Sequence, residues 1–252
     1  MPSGPGNAAT TDEPRVVSIS IAKIVTPVIR PATNFGQSGA VWARVKIVFE
    51  VPQVWGFSLM RAVFSDASPM AGQDGIMRYE GVDCTQSSSG TTVTLLCPVY
   101  ADVTTGPGYY RSEKTVNVEY VPPGESDIRT VDLPVPTQPG GYLRYATSTR
   151  VDAAVVSTTD GRRVRLAGSV RRWLFSWSDN DGTVRWRPYR YQTVRFYFRP
   201  EGATSAVYVG QHTTNDHGVF VRRFMPRGRG TWIAKFRQNS RFAGSYAADR
   251  IG

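Results

Sequence analysis

The feature that most constrains this 252-residue chain is the strict alternation of apolar and polar side chains in short runs. In VWARVKIVFEV (41–51), Val41, Ala43, Val45, Ile47 and Phe49 fall on one side, and Arg44, Lys46 and Glu50 on the other. A period of two over that length dictates a β-strand with one face in a core. VVSISIAKI (16–24), FSLMRAVF (57–64), TVTLLCPV (92–99), TVNVEYV (115–121) and RTVDLPV (129–135) repeat the pattern, and this half carries no 3.6-residue period. The 24 glycines and 17 prolines punctuate these runs rather than forming low-complexity blocks, as turn chemistry requires. No apolar run reaches the ~20 residues of a membrane-spanning helix. The length suffices for hydrophobic cores that need no structural metal.

VPTQPGGY (135–142) is the best linker. Beyond it come TSTRVDAAVVST (147–158), RRVRLAGSV (162–170), QTVRFYFRP (192–200), SAVYVGQHT (205–213), GVFVRRFM (218–225) and GTWIAKFR (230–237). Six or seven strands in about 110 residues is the size and count of an immunoglobulin-like sandwich. Asp160-Gly161, Asp181-Gly182 and Glu201-Gly202 stand between strands, as tight turns. The expected architecture is all-β, with two consecutive immunoglobulin-like β-sandwich domains. Residues 1–14 form a disordered lead, 15–137 the N-terminal sandwich and 138–252 the C-terminal one.

The formal net charge of +10 divides unequally between these halves. Residues 1–137 hold 10 basic and 13 acidic side chains, whereas residues 138–252 hold 20 basic and 7 acidic ones, and all but Lys235 of those 20 are Arg. A basic second half favours polyanions or acidic surfaces as partners. An Arg-rich exterior also arises where Arg stems cover apolar strand surface, or from a GC-rich genome.

The two cysteines, Cys84 and Cys97, bound CTQSSSGTTVTLLC, two strand-like segments around a Ser/Gly turn. That spacing suits a cross-strand disulfide, the kind of bond that persists in oxidising compartments. Without a CxxC pair, zinc and dithiol redox chemistry have no support. Met1–Glu13 has no apolar segment of a secretory signal. The expectation is a secreted protein whose export signal lies outside this sequence.

In the second half a longer frame is visible: VRLAGSVRRW (164–173), WRPYRYQTVRFYFRPEG (186–202), a turn with Thr214, Asp216 and Gly218, GVFVRRF, then GTWIAKF (230–236). It resembles the C-terminal immunoglobulin-like domain of secreted actinobacterial, Streptomyces-type two-domain proteins. There a G-x-V-x-R strand, a V-x-F-x-F-R-P-x-G strand, a T-x-x-x-G-x-F hairpin and a G-x-W-x-A-x-F strand recur. The first half, with its cysteine pair, is similar to the N-terminal module of those proteins. The resemblance implies the fold and export, and supplies no catalytic signature. Here RRFMPRGRG is more basic, and the insert RWLFSWSDNDGTVRWRP more aromatic, than that pattern.

No enzyme motif is present. His212, Asp216 and His217 form no triad with a G-x-S-x-G serine, and the T-x-x-x-G-x-F frame makes them part of a turn. Trp177 and Pro188 stand where a calcium loop beginning near Asp179 needs acids. Phosphate-loop, dinucleotide and zinc-protease motifs are missing, so no cofactor, metal or catalytic residue is assigned. What remains is a basic–aromatic pattern. Arg195, Tyr197 and Arg199 alternate with a buried set in TVRFYFRP, Lys235 and Arg237 do so in TWIAKFR, and Arg163 and Arg165 in RRVRL. If the apolar sets face the core, the cationic sets share the outer face of a sheet, with Arg forking onto carboxylates or phosphates. Trp177 and Trp186 lie in the insert 173–191, either a contact loop rich in interface-type residues or a long hairpin with tryptophans in the core. The expected function is non-enzymatic binding, through that face, of an anionic cell-envelope polymer or a protein. Nucleic acid is the less favoured anion. The alternatives are a protein–protein module of a larger extracellular assembly and a hydrolase with an unrecognised site.

Overall fold

The computed structural model describes residues 13–33, 39–52, 56–67, 76–80, 84–101, 105–122, 124–159, 161–178 and 181–252. The described residues form strands and no helix, as the alternation dictates. The expected disordered lead lies, up to residue 12, outside the described residues. The chain divides into two units. The first comprises 1–26, 35–105 and 109–141, and the second 27–34, 106–108 and 142–252.

In chain order the strands up to residue 145 are β1 (Arg15–Ile24), β2 (Val28–Ile29), β3 (Ala40–Glu50), β4 (Gly56–Asp66), β5 (Ile76–Glu80), β6 (Thr85–Ser89), β7 (Thr92–Ala101), β8 (Gly108–Val121), β9 (Arg129–Pro134) and β10 (Gly140–Tyr145). The first unit is a sandwich whose first sheet runs β1-β3-β7-β6. Its second sheet runs β5-β4-β8, with β9 and then β10 beside β8. In immunoglobulin lettering these are A-B-E-D and C′-C-F-G. The last strand is interrupted, because 135–139 separates β9 from β10.

Along β3, Val45, Ile47 and Phe49 are buried as the alternation requires, but the register shifts between Val41 and Ala43. This bulge places one extra residue on β3, so that Trp42 is 0% exposed, with its ring 5.8 Å from Phe64 and 6.2 Å from Tyr110. Cys84 and Cys97 are joined by a disulfide with the Cα atoms 4.4 Å apart. It extends the β6–β7 ladder by one pair beyond Thr85 and Leu96. The hairpin turns at Gly90, whose φ of 56° only glycine adopts freely.

The remaining strands are β11 (Thr147–Thr158), β12 (Gly161–Ser178), β13 (Asp181–Pro188), β14 (Thr193–Pro200), β15 (Val207–Thr213), β16 (Val219–Phe224), β17 (Gly230–Phe236) and β18 (Ser245–Ile251). In the second unit β12 pairs with β11 on one side, and with β16 and β13 on the other. The facing sheet runs β15-β14-β17-β18. The order is A-B-E against C′-C-F-G, again an immunoglobulin-like sandwich. Its core is Val164, Leu166 and Val170 from β12, Val194, Phe196 and Phe198 from β14, Phe220 from β16, and Trp232, Ala234 and Phe236 from β17. The rings interlock edge-on, with Phe196 5.4 Å from both Phe220 and Phe224. Such geometry is favoured by the aromatic quadrupole.

β11 and β18, in opposite sheets, are stitched by side chains. Thr147 Oγ1 bonds Ala243 O and Ser245 Oγ, Thr149 Oγ1 bonds Ser245 Oγ, and Ala153 N–H donates to Asp249 Oδ2 at 2.7 Å.

Candidate functional site

The antiparallel register of the second unit decides which predicted cations meet. On β14, Arg195 lies directly opposite Lys235 of β17, Tyr197 opposite Ile233, and Arg199 opposite Thr231. On the flanks, Gln211 and Tyr208 of β15 oppose Arg195 and Tyr197. Tyr246, Ala248 and Arg250 of β18 oppose Lys235, Ile233 and Thr231. Three rows therefore cross the outer face of this sheet: Gln211–Arg195–Lys235–Tyr246, Tyr208–Tyr197–Ile233–Ala248 and Arg199–Thr231–Arg250. Their inward neighbours Phe196, Phe198, Trp232 and Ala234 are buried, which fixes the outward direction of the rows.

The middle row is an aromatic–aliphatic stripe. Tyr197 and Tyr208 meet edge-on at 5.7 Å, and Tyr208 is 51% exposed. Arg250 is held by Glu201. Arg195, Arg199, Lys235 and Arg237 have no ion-pair partner among the described residues. Like charges directly opposite across strands are unfavourable, by roughly 0.2–1 kcal/mol. Arg195 and Lys235 are such a like-charged pair, set side by side on adjacent strands.

Arg163 and Arg165 do not join this face. They sit on β12, which belongs to the other sheet, with their inward neighbours Val164 and Leu166 buried. The expectation of a single shared cationic face is corrected by this topology: alternation sets inside from outside, not which sheet a strand enters. There Arg165 faces Arg223 of β16, and Arg163 Nη1 meets Met225 Sδ. Trp186 pairs with Trp173 across the β12–β13 ladder, rings 5.5 Å apart. The insert is thus a long hairpin. Asp181 and Gly182 are laddered to Ser178 and Trp177 rather than forming its turn. The Trp177 side chain and Asp179 lie outside the described residues.

Tyr246 and Arg250 were missed by reading strands only to residue 237, and Tyr208, although inside the strand read at 205–213, was not assigned to the face. The signal was present in SYAADRI, where Tyr246, Ala248 and Arg250 alternate with half-buried neighbours. The histidine segment is a turn: Asn215 Oδ1 accepts from His217 N at 3.0 Å and Val219 N at 2.9 Å. Both side chains of the His217–Asp216 contact, 3.6 Å apart, face solvent. In the first unit an open cavity of about 290 Å³ is lined by Gly56, Phe57, Ser58, Glu119, Tyr120, Val121 and Ile128. Among the described residues that line it, Glu119 is the one carboxylate.

No family model matches the chain, and no curated protein does either. Among solved structures, the D0-D1 domain of intimin aligns over 92% of this chain and 97% of that one, at 10% identity and a TM-score of 0.21. A superposition that poor carries no argument, and the immunoglobulin-like assignment rests on the strand order above.

Proposed function

We propose that the chain is an exported, non-catalytic binding protein of the kind found in actinobacteria, and that its second sandwich binds an anionic cell-envelope polymer. The observation that carries this reading is the in-register Arg195–Lys235 pair beside the Tyr197–Tyr208 stripe. The cations are set in rows on an open sheet rather than in a pocket, which suits a repeating polyanion more than a compact ligand. The Cys84–Cys97 bridge supports export, since such bonds persist outside the reducing cytosol. Affinity comes from charge-assisted bonds to Arg and Lys, with tyrosine rings covering the apolar part of the polymer.

Retention on immobilised poly-L-glutamate, measured against salt, tests this reading. Binding weakens steeply as salt screens the face, and Arg195→Gln with Lys235→Gln lowers the salt at which the protein elutes. Arg163→Gln with Arg165→Gln, on the opposite sheet, leaves it nearly unchanged. Equal losses from both pairs would reduce the interaction to net charge and remove the assigned face.

A further inference from the structure

The cationic rows leave unexplained an arginine that points the other way. Along β12 the inward positions are Val164, Leu166, Val170 and then Arg172. Arg172 lies over two rings, its Cζ 5.1 Å from the Tyr189 centroid and 5.6 Å from that of Phe242. Rings satisfy its charge but not its N–H donors, which point outward in the guanidinium plane. Its Nε is buried with no hydrogen-bond partner, and the Arg172 side chain makes no hydrogen bond or ion pair among the described residues. A buried donor left unmade costs more than a typical bond contributes. The charges that bear on Arg172 are those of Tyr189, Arg241 and Arg190, and no carboxylate is among them. Burial, with Arg241 and Arg190, pulls the guanidinium below its ordinary pKa.

The surroundings are built rather than loose. Tyr189 is held by its backbone N–H on Val170 O and by Thr214 Oγ1 on its carbonyl, and its ring packs on Phe236 and Phe242. Its hydroxyl accepts from Asn239 Nδ2 at 2.8 Å, which leaves the phenolic proton free to donate. Burial raises the Tyr189 pKa, keeping that proton in place. Asn239 Oδ1 accepts from Arg241 N and Phe242 N, and Arg241 Nε donates to Pro107 O at 2.8 Å, so the loop carrying Arg241 is fixed.

We propose that Arg172, walled by Tyr189 and Phe242 and flanked by Arg190 and Arg241, is an oxyanion seat of the second unit that takes the carboxylate or phosphate group of a ligand. A planar fork of donors with no acceptor of its own matches such groups. The seat uses none of the residues of the proposed polymer face, so either assignment stands without the other.

The test is an NMR titration of the intact chain, following arginine Nε–Hε resonances, with sodium phosphate and separately sodium acetate at constant ionic strength. A saturable shift of the Arg172 signal is expected, with phosphate the stronger probe if a dianion is preferred and acetate if the seat is made for carboxylates. Arg172→Met abolishes the saturable response at the loop amides of Arg241 and Phe242. Arg190→Gln, an exposed position whose loss spares the fold, weakens affinity about tenfold or less. The proposal is overturned if neither anion moves the Arg172 signal at concentrations of tens of millimolar, or if the loop amides respond identically in Arg172→Met.

Discussion

The first unit pins the edge of its first sheet covalently, through Cys84–Cys97, whereas the second has no cysteine and relies on close backbone approach inside its core. At Gly168 a Cβ would stand 2.0 Å from the Arg150 carbonyl oxygen and 2.5 Å from Phe220 Cζ. The A-B-E and C′-C-F-G orders common to both units are supplemented in the first by a crosslink on a strand D that the second lacks, and in the second by the close approach at Gly168. The unit that does without the crosslink also sets Arg195 against Lys235 and Arg165 against Arg223, two unfavourable like-charge pairs. The difference teaches that surface charge in the second unit is tolerated against a core with little slack, not against a staple.

The largest effect on this comparison comes from its cores. Trp232→Ala empties a fully buried site under Phe198 and Phe224 and should cost the second unit about 3–5 kcal/mol. Trp42→Ala should do the same to the first, and urea unfolding followed by unit-specific NMR signals separates the two. Next comes the bridge. Cys84→Ser with Cys97→Ser, whose sequence separation is 13, should lower the first unit by up to about 3 kcal/mol and leave the second unmoved. A matching loss in the second would show that the units unfold as one. Thr214→Val removes a buried hydroxyl bonded to Tyr189 O and Gln192 N. A loss of about 1–3 kcal/mol in the second unit is expected in chemical denaturation. Smallest is Arg223→Gln, which should stabilise by less than about 1 kcal/mol at low salt and by less as salt is added. A destabilisation there would mean Arg223 is held by favourable contacts instead.

The alternation in VRFYF and WIAKF made the core of the second sandwich legible, because one period fixes every inward side chain of a strand. The frame on which the sequence resemblance rested is, in the structure, that same core: Gly168, Val194, Phe196, Phe198, Thr214, Phe220, Trp232 and Ala234 are buried or tightly packed. It therefore conveyed fold and said nothing of a binding site. Sheet membership was hidden, since alternation is a property of one strand and pairing joins residues far apart in sequence. Trp42 was hidden for a related reason: a single inserted residue on β3 breaks the period that assigned Val41 to the core. Arg172 was legible in principle, two residues beyond Val170 on an inward parity.

The stitching of β11 to β18 bears on how such a chain could assemble. A strand at the margin of a sheet ordinarily presents its unused amides to any passing chain. On β11 the Ala153 amide is already taken by Asp249, and Thr147 and Thr149 are bound to Ser245. A newcomer pairing there would first have to displace the Asp249 carboxylate from that amide, whereas the threonine bonds to Ser245 join side chains and leave the backbone donors untouched.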